Sequence, residues 1–560
     1  MPDARVTNTI TGRDAFLRVL SDEGVEKMFG NPGTTELPIM HALSSAPEMG
    51  YVLALQEAIV IAMADGYARA SGRLAACNVH IAPGLGNAMG ALYNARWYGS
   101  PLIVTAGQQE QGHGLTEPML YDPLVPIAQP MVKWAVEVAR LADLPRVVHR
   151  AAKIATTPPT GPVFISLPGD ILDAEGDIDL GKPTRVDAAA RPGDAAIGQL
   201  AQRLLAARNP VLLAGHELAT REAWREAAEL AELLGAPVYQ QTCPYAAHFP
   251  SEHPAFLGAL TRSQRQVRDA LKPHDLLVCP GADVLRMSVY SPVDALPDGM
   301  PIVQIGERDW ELAKNYPAEM ALKADVRETL RALLPVLRAR RSAQRAAEAA
   351  QRLAELATRN WSAQRQRSQR EALAAADTQP IDARWLMMRI AESLPANTVV
   401  VEEGLTSTQS LPGFLPFRDP RCYYGLASGG LGFGLPGAVG VSLASPGRPV
   451  VAIVGDGSAM YGIQALWTAA HLKLPITYVI TNNRGYRILK ERLVALRHTE
   501  KFIGMDLREP AIDYTGLARS LGVPAQRITD PRQVAPALAA AVQSGSPQLL
   551  EVMVADGFGG

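Results

Sequence analysis

Val450-Val451-Ala452-Ile453-Val454, then Gly455-Asp456-Gly457-Ser458, opens a unit that closes with Ile476-Thr477-Tyr478-Val479-Ile480 and Asn482-Asn483. Both apolar runs are short and bounded by turn residues, which predicts buried strands. Between them Ile463, Leu466, Trp467 and Ala470 recur at three- and four-residue spacing, which predicts one buried helical face. Strand, helix and strand make a βαβ unit, with parallel strands and a right-handed crossover. Parallelism sets Asp456 and Asn483, each just past a strand's C-terminal end, on one edge of the sheet. Doubly wound sheets bind ligands on that edge.

The residue types there suit one task. Gly455 and Gly457 let the backbone approach a ligand closely, and a helix beginning near Ser458 offers free N–H groups to an anion. Asp456 supplies a carboxylate oxygen, Asn483 an amide oxygen and Gly485 a main-chain carbonyl. Three protein oxygens are too few for a full cage but suit Mg²⁺ or Ca²⁺ bridging to a diphosphate. Taken singly, Asp456 reads as a helix cap and Asn482-Asn483 as a turn. Sharing one edge, they predict a site.

The rest of the chain is long enough for several domains, at 560 residues. With 48% hydrophobic and 20% charged residues it has the composition of an ordinary globular protein. A net charge of −2 argues against nucleic acid or an anionic membrane as the main partner. Cys77, Cys243, Cys279 and Cys422 follow no metal-ligand spacing and read as buried free thiols in a reducing compartment. No signal segment opens the chain and no apolar run is long enough to span a bilayer, so a cytoplasmic protein is expected.

A first domain is expected over residues 1–185. A helix at 12–23 leads to a strand at 27–29 and the tight turn Gly30-Asn31-Pro32-Gly33-Thr34-Thr35-Glu36. A strand at 51–55 is followed by a helix opened by Gln56-Glu57, in which Glu57 shares a face with Val60 and Ile61. A carboxylate on a buried face costs several kcal/mol unless it is paired or protonated. Glu57 therefore reads either as a functional carboxyl or as a first-turn residue at the helix rim. His80 ends a strand at 74–80, beside Pro83-Gly84-Leu85-Gly86-Asn87, and its place on the ligand edge makes it a candidate acid or base. Further strands are expected at 101–106 and at 162–167, the latter closing the sheet.

A middle α/β domain is expected over 190–340, with strands at 210–214, 275–279 and 301–305 and a helix at 217–234. An Arg-, Gln- and Ala-rich stretch, 341–379, reads as an exposed helical connector. The third domain, 380–560, holds a strand at 398–401, the opening βαβ unit and a final strand at 547–554. Its run Gly429-Gly430-Leu431-Gly432-Phe433-Gly434-Leu435-Pro436-Gly437 matches G-x-G-x-x-G. No clean strand precedes it and Pro436 interrupts the spacing, so a nicotinamide or flavin dinucleotide is not expected there.

These landmarks line up in order with one family. GNPGTTELP, LALQEAIV, NVHIAPGLGNAMGAL, LIVTAGQQ, GGLGFGLPGA, GDGS and ITNN resemble benzoylformate decarboxylase, and more broadly the thiamine-diphosphate 2-keto acid decarboxylases and acetohydroxyacid synthases. The resemblance implies an α/β fold of three doubly wound parallel-sheet domains: pyrimidine-binding, middle and diphosphate-binding. It implies a homodimer or dimer of dimers, each cofactor lying between the first domain of one subunit and the last of another. It also implies cofactor contacts at Asn31, Pro32, Gly33, Glu57, Asn87, Thr406, Gly429, Leu431, Gly455, Asp456, Gly457, Ser458, Tyr461, Asn483, Gly485 and Tyr486. The metal, Mg²⁺ or Ca²⁺, would take Asp456, Asn483 and Gly485. Glu57 matches the glutamate that activates the aminopyrimidine, Leu431 the bulky residue that bends the cofactor, and His80 and Thr34 the substrate-handling positions. The implied reaction converts a 2-keto acid to an aldehyde and CO₂, with the cofactor as electron sink.

Some positions depart from that pattern. A second histidine of the benzoylformate decarboxylase branch falls at Ser288, so protonation after CO₂ loss needs another donor, His113 or water. Two aromatic positions expected around a phenyl ring are Gly425 and Arg492, with Arg487 adding charge, so a larger or anionic substrate fits as well as an aromatic one. No FAD is expected on the middle domain. The alternatives are an acetohydroxyacid synthase-like carboligase, a hydroxyketone or acyl-CoA lyase, or a non-catalytic nucleotide-binding module.

Overall fold

The computed structural model describes residues 9–242 and 244–558. It contains three six-stranded parallel sheets and a small antiparallel pair, Thr9–Thr11 with Glu175–Asp177. The α/β class and three parallel-sheet domains expected from the sequence are what is found.

Across the first sheet the strands run Gly50–Leu53, Lys27–Gly30, Ala75–Val79, Leu102–Gln108, Val163–Pro168 and Ala135–Glu137. Across the third they run Tyr423–Tyr424, Val399–Glu403, Val450–Gly455, Ile476–Asn482, Gln548–Met553 and Ala525–Ile528. Counted in chain order within each sheet, both follow 2-1-3-4-6-5. The middle sheet, from Phe256–Ala259 through Pro210–Ala214 to Met320–Lys323, follows 3-2-1-4-5-6. In the first and third sheets the order reverses between the first and third strands of the chain. That is the switch point where such sheets open a crevice.

The opening βαβ unit is present, with Val450 paired to Ile476 and Gly455 to Thr481 in parallel register. Its helix is not continuous: a short turn, Asp456–Ala459, precedes Ala465–His471. Asn482 belongs to the strand, where its amide donates to Glu551, rather than to a turn.

Several expectations are corrected. Val163–Pro168 does not close the first sheet, because the short Ala135–Glu137 strand lies outside it. The helix expected at 217–234 breaks into Glu217–Thr220 and Trp224–Leu234, with Glu222 between them at φ 50°. The stretch expected as an exposed helical connector is helical, Ala343–Ala357 and Trp361–Leu373, and largely exposed, but not wholly so, because it buries Leu356 and Trp361. The Trp361 indole donates to the Pro412 carbonyl, tying that stretch to the third domain. Cys77, Cys279 and Cys422 are buried free thiols; Cys243 lies outside the described residues.

The first and third domains of one chain are locked by two glycine-bearing helices, Glu57–Ser71 and Gly434–Ala444. A Cβ on Gly440 would sit 1.9 Å from the Met63 carbonyl oxygen, and one on Gly66 2.2 Å from that of Gly437. Only glycine allows this crossing, which merges both domains into one apolar core. Among the described residues no helix is long and apolar enough to cross a membrane.

Candidate active site

Two groups of polar residues form, one at each switch point. In the third domain a cavity of about 220 Å³ is lined by residues 404–407, Leu431, residues 455–458, Tyr461, Asn483 and residues 485–489. Every expected contact from this domain except Gly429 lies on it. Asp456 is 4% exposed, and its carboxylate accepts the N–H groups of Gly457 (2.9 Å) and Gly485 (3.2 Å). The Gly485 N–H also reaches Asn483 Oδ1 at 3.0 Å, so the three expected metal ligands meet around one amide. Burial pushes the Asp456 carboxyl up to about 6, although four backbone N–H groups oppose that shift. Its hydrogen bonds all come from main chain, and a divalent cation would stabilise its ionised form. Leu405 and Arg484, at φ 50° and 58°, hold left-handed backbone beside these groups, a strain that clusters at functional sites.

In the first domain, Glu57 opens its helix behind an N-cap from Gln56, whose side chain takes up the Ala58 and Ile59 N–H groups. Glu57 is 8% exposed and accepts from Asn87 Nδ2 at 3.1 Å. Across the switch-point crevice, Asn31, Pro32 and Gly33 follow one strand and His80 the other. A Cβ on Gly33 would meet the His80 ring at 2.1 Å, so only glycine lets the ring lie there. Ile81, at φ 43°, carries the strain of the turn that follows His80.

Sequence reasoning passed over two carboxylates. Glu36 is fully buried; Oε1 accepts from the Gly107 N–H (2.7 Å) and Thr35 Oγ1 (2.9 Å), and Oε2 from the Gly33 N–H (2.9 Å). Glu36 Oε2 also lies 2.8 Å from His80 Nδ1. Glu403, also buried, accepts the N–H groups of Gly432 (2.7 Å) and Gly434, which closely follow Leu431. Burial raises its carboxyl to about 7. An acid inside an apolar strand end, as in Val399-Val400-Val401-Glu402-Glu403, was the signal that could have exposed it.

Other expected residues are exposed or lie outside the Asp456 cavity. Thr34 and His113 are exposed, and the hydroxyl bonded to His80 Nδ1, at 3.2 Å, is that of Thr35. Ser288 is exposed in the middle domain. Gly425 packs against Pro244 and Tyr245, outside the Asp456 cavity.

Family comparisons agree along the chain. Residues 10–120 match the N-terminal TPP binding domain of thiamine pyrophosphate enzymes, 197–333 the central domain and 406–552 the C-terminal TPP binding domain. Benzoylformate decarboxylase of Pseudomonas aeruginosa is 36% identical over 546 residues, covering 97% of this chain and 98% of that one. Acetolactate synthase isozyme 3 large subunit of Escherichia coli is 27% identical over 553 residues, covering 95% and 92%. Among solved structures, the 4-hydroxybenzoylformate decarboxylase of Rhodococcus jostii superposes with a TM-score of 0.86 at 33% identity, covering 98% and 99%. Benzoylformate decarboxylase of Polynucleobacter necessarius gives 0.87 at 29% identity, with the same coverage. With a relative more than 30% identical along nearly its whole length, the chain belongs to the thiamine pyrophosphate enzymes, alongside benzoylformate decarboxylase.

Proposed function

We propose that this chain is a carboxy-lyase that removes CO₂ from a benzoylformate-like 2-keto acid and releases an aldehyde. The observation that carries this reading is the pair of switch-point sites, in a chain similar throughout to benzoylformate decarboxylase. Bound thiamine diphosphate supplies the electron sink that accepts the pair left by CO₂. Asp456, Asn483 and the Gly485 carbonyl would hold Mg²⁺ or Ca²⁺, because a hard oxygen set with open positions suits a cation shared with a diphosphate. Leu431 projects into the same cavity and would set the cofactor's conformation. Glu57, held by Asn87, would hydrogen-bond the pyrimidine and govern its proton. His80, steadied by Glu36, is placed to orient the substrate and move a proton.

Among the described residues, the cavity around Asp456 is lined only from Gly404 onward. Glu57 and His80 of the same chain do not reach it, which supports a dimer or dimer of dimers in which another chain supplies them. Tyr461 (58% exposed) and Leu489 (46%) beside the cavity, and Leu37 (59%) and Leu55 (42%) beside the first-domain site, give that contact apolar surface. Buried free thiols favour a reducing, cytoplasmic setting.

Incubation with aromatic, aliphatic and dicarboxylic 2-keto acids, quantifying CO₂ and aldehyde, tests the reading. Aldehyde equal to CO₂ supports it. CO₂ with only condensed hydroxyketone favours the carboligase reading, which the acetolactate synthase likeness keeps in play. No CO₂ from any 2-keto acid overturns both.

A further inference from the structure

Asp65 and Arg69 lie about two and three turns beyond Glu57 on the same helix, and both side chains have no solvent exposure. The Asp65 carboxylate accepts from Arg69 Nε (2.8 Å) and Nη2 (2.5 Å), from Asn94 Nδ2 (3.3 Å) and from the Ser100 hydroxyl. Arg69 Nη1 donates to the Gly425 carbonyl at 2.9 Å, and its guanidinium lies between the rings of Tyr98 (4.2 Å) and Phe433 (4.1 Å). Asn94 Oδ1 then accepts both the N–H and the hydroxyl of Ser428, at 3.1 and 3.0 Å. Ser428 Oγ accepts the Gly430 N–H at 3.1 Å, one residue before Leu431.

A buried ion pair adds little stability over packed apolar side chains; its yield is a defined geometry, provided every partner is satisfied. Here the partners span two domains and end on the glycine-rich loop. That loop has positive φ at Gly429 (87°) and Gly432 (102°) and would sample many conformations if left alone. The network has a cost in desolvation, and its last contact falls one residue before Leu431. We infer that Asn94, supported by Asp65 and Arg69, is a positioning residue that fixes the Leu431 loop for the bound cofactor. It rests on the proposed role of Leu431 and deepens it.

The test follows C2 proton exchange of bound thiamine diphosphate in deuterium oxide at full occupancy, which reports cofactor geometry without turnover. Asn94→Ala should slow exchange by about 10²-fold, as a displacement of about 1 Å at a reacting centre does. KM for the 2-keto acid should stay within about twofold of wild type. Leu92→Ala, a buried core change on the same helix, lowers thermal stability and should leave exchange at the wild-type rate. In a Leu431→Ala background, Asn94→Ala should add nothing further, because both act through one side chain. Ser428→Ala, on the half-buried loop, should slow exchange in the same direction and stands in if Asn94→Ala does not fold. Wild-type exchange in Asn94→Ala, or losses that multiply with Leu431→Ala, overturns the inference. Failure of the wild type itself to accelerate exchange would instead strike the functional reading beneath it.

Discussion

Glu36 holds His80 through a single 2.8 Å contact between Oε2 and Nδ1, and the carboxylate that makes it has no exposure to solvent. Four donors converge on that carboxylate, and a carboxamide can accept on only one of its two sides. Glu36→Gln should therefore free the ring and lower kcat/KM by about 10²-fold, at the low end of what general acid–base groups contribute. Cofactor affinity should barely change. Steady-state kinetics beside calorimetric titration would separate the two, and equal losses in both would argue that Glu36 only holds the loop together.

Asp456→Ala removes the only carboxylate that the described residues place on the third-domain cavity. Metal-dependent binding of thiamine diphosphate should be lost, and chelation of the wild type should have the same effect. Undiminished affinity by calorimetry would refute the placement of the cation.

Glu57→Gln keeps an acceptor toward Asn87 but cannot take or give the proton. Cofactor should bind normally while C2 exchange drops by about 10² or more, the lower range for a positioned acid–base group. Exchange equal to wild type would leave Glu57 as a helix-start residue.

Glu217 lies away from the site, buried, with both carboxylate oxygens on the Glu307 N–H. Burial first, then the nearby Glu307 charge, raise its carboxyl from 4.5 to about 8. Between those values the folded chain keeps a proton that the unfolded chain releases, so this group's contribution to stability falls as pH rises. Glu217→Gln cannot titrate. Its thermal midpoint relative to wild type should climb from about pH 5 to about pH 8 and then level off. A constant difference across that range would mean that Glu217 is ionised in the folded protein.

Where the chain could be read from its residues, local signals were strong. Five apolar residues ending in Gly455-Asp456 allowed one strand and one edge, and the same logic set His80 and Glu57 at strand and helix boundaries. The short strands Ala135–Glu137, Val238–Gln240 and Met320–Lys323 escaped because three or four residues carry no periodicity, and only sheet neighbours make them strands. Glu36 and Glu403 escaped for another reason. Each is fixed in part by a main-chain amide remote in sequence, Gly107 for Glu36 and Gly432 for Glu403, and no spacing rule points across such a gap.

The cavity around Asp456 takes nothing from the described residues before Gly404, and that has a genetic consequence. In the proposed assembly, a Glu57→Gln chain and an Asp456→Ala chain each ruin a different half of a site. Joined in one dimer, they leave one site with both lesions and the other with neither. Two inactive proteins, unfolded together and refolded as a mixture, should then complement one another. With random pairing, about a quarter of wild-type activity should return, since half the dimers are mixed and each has one intact site of two. A mixture that stays dead would place Glu57 and Asp456 in one chain's own site.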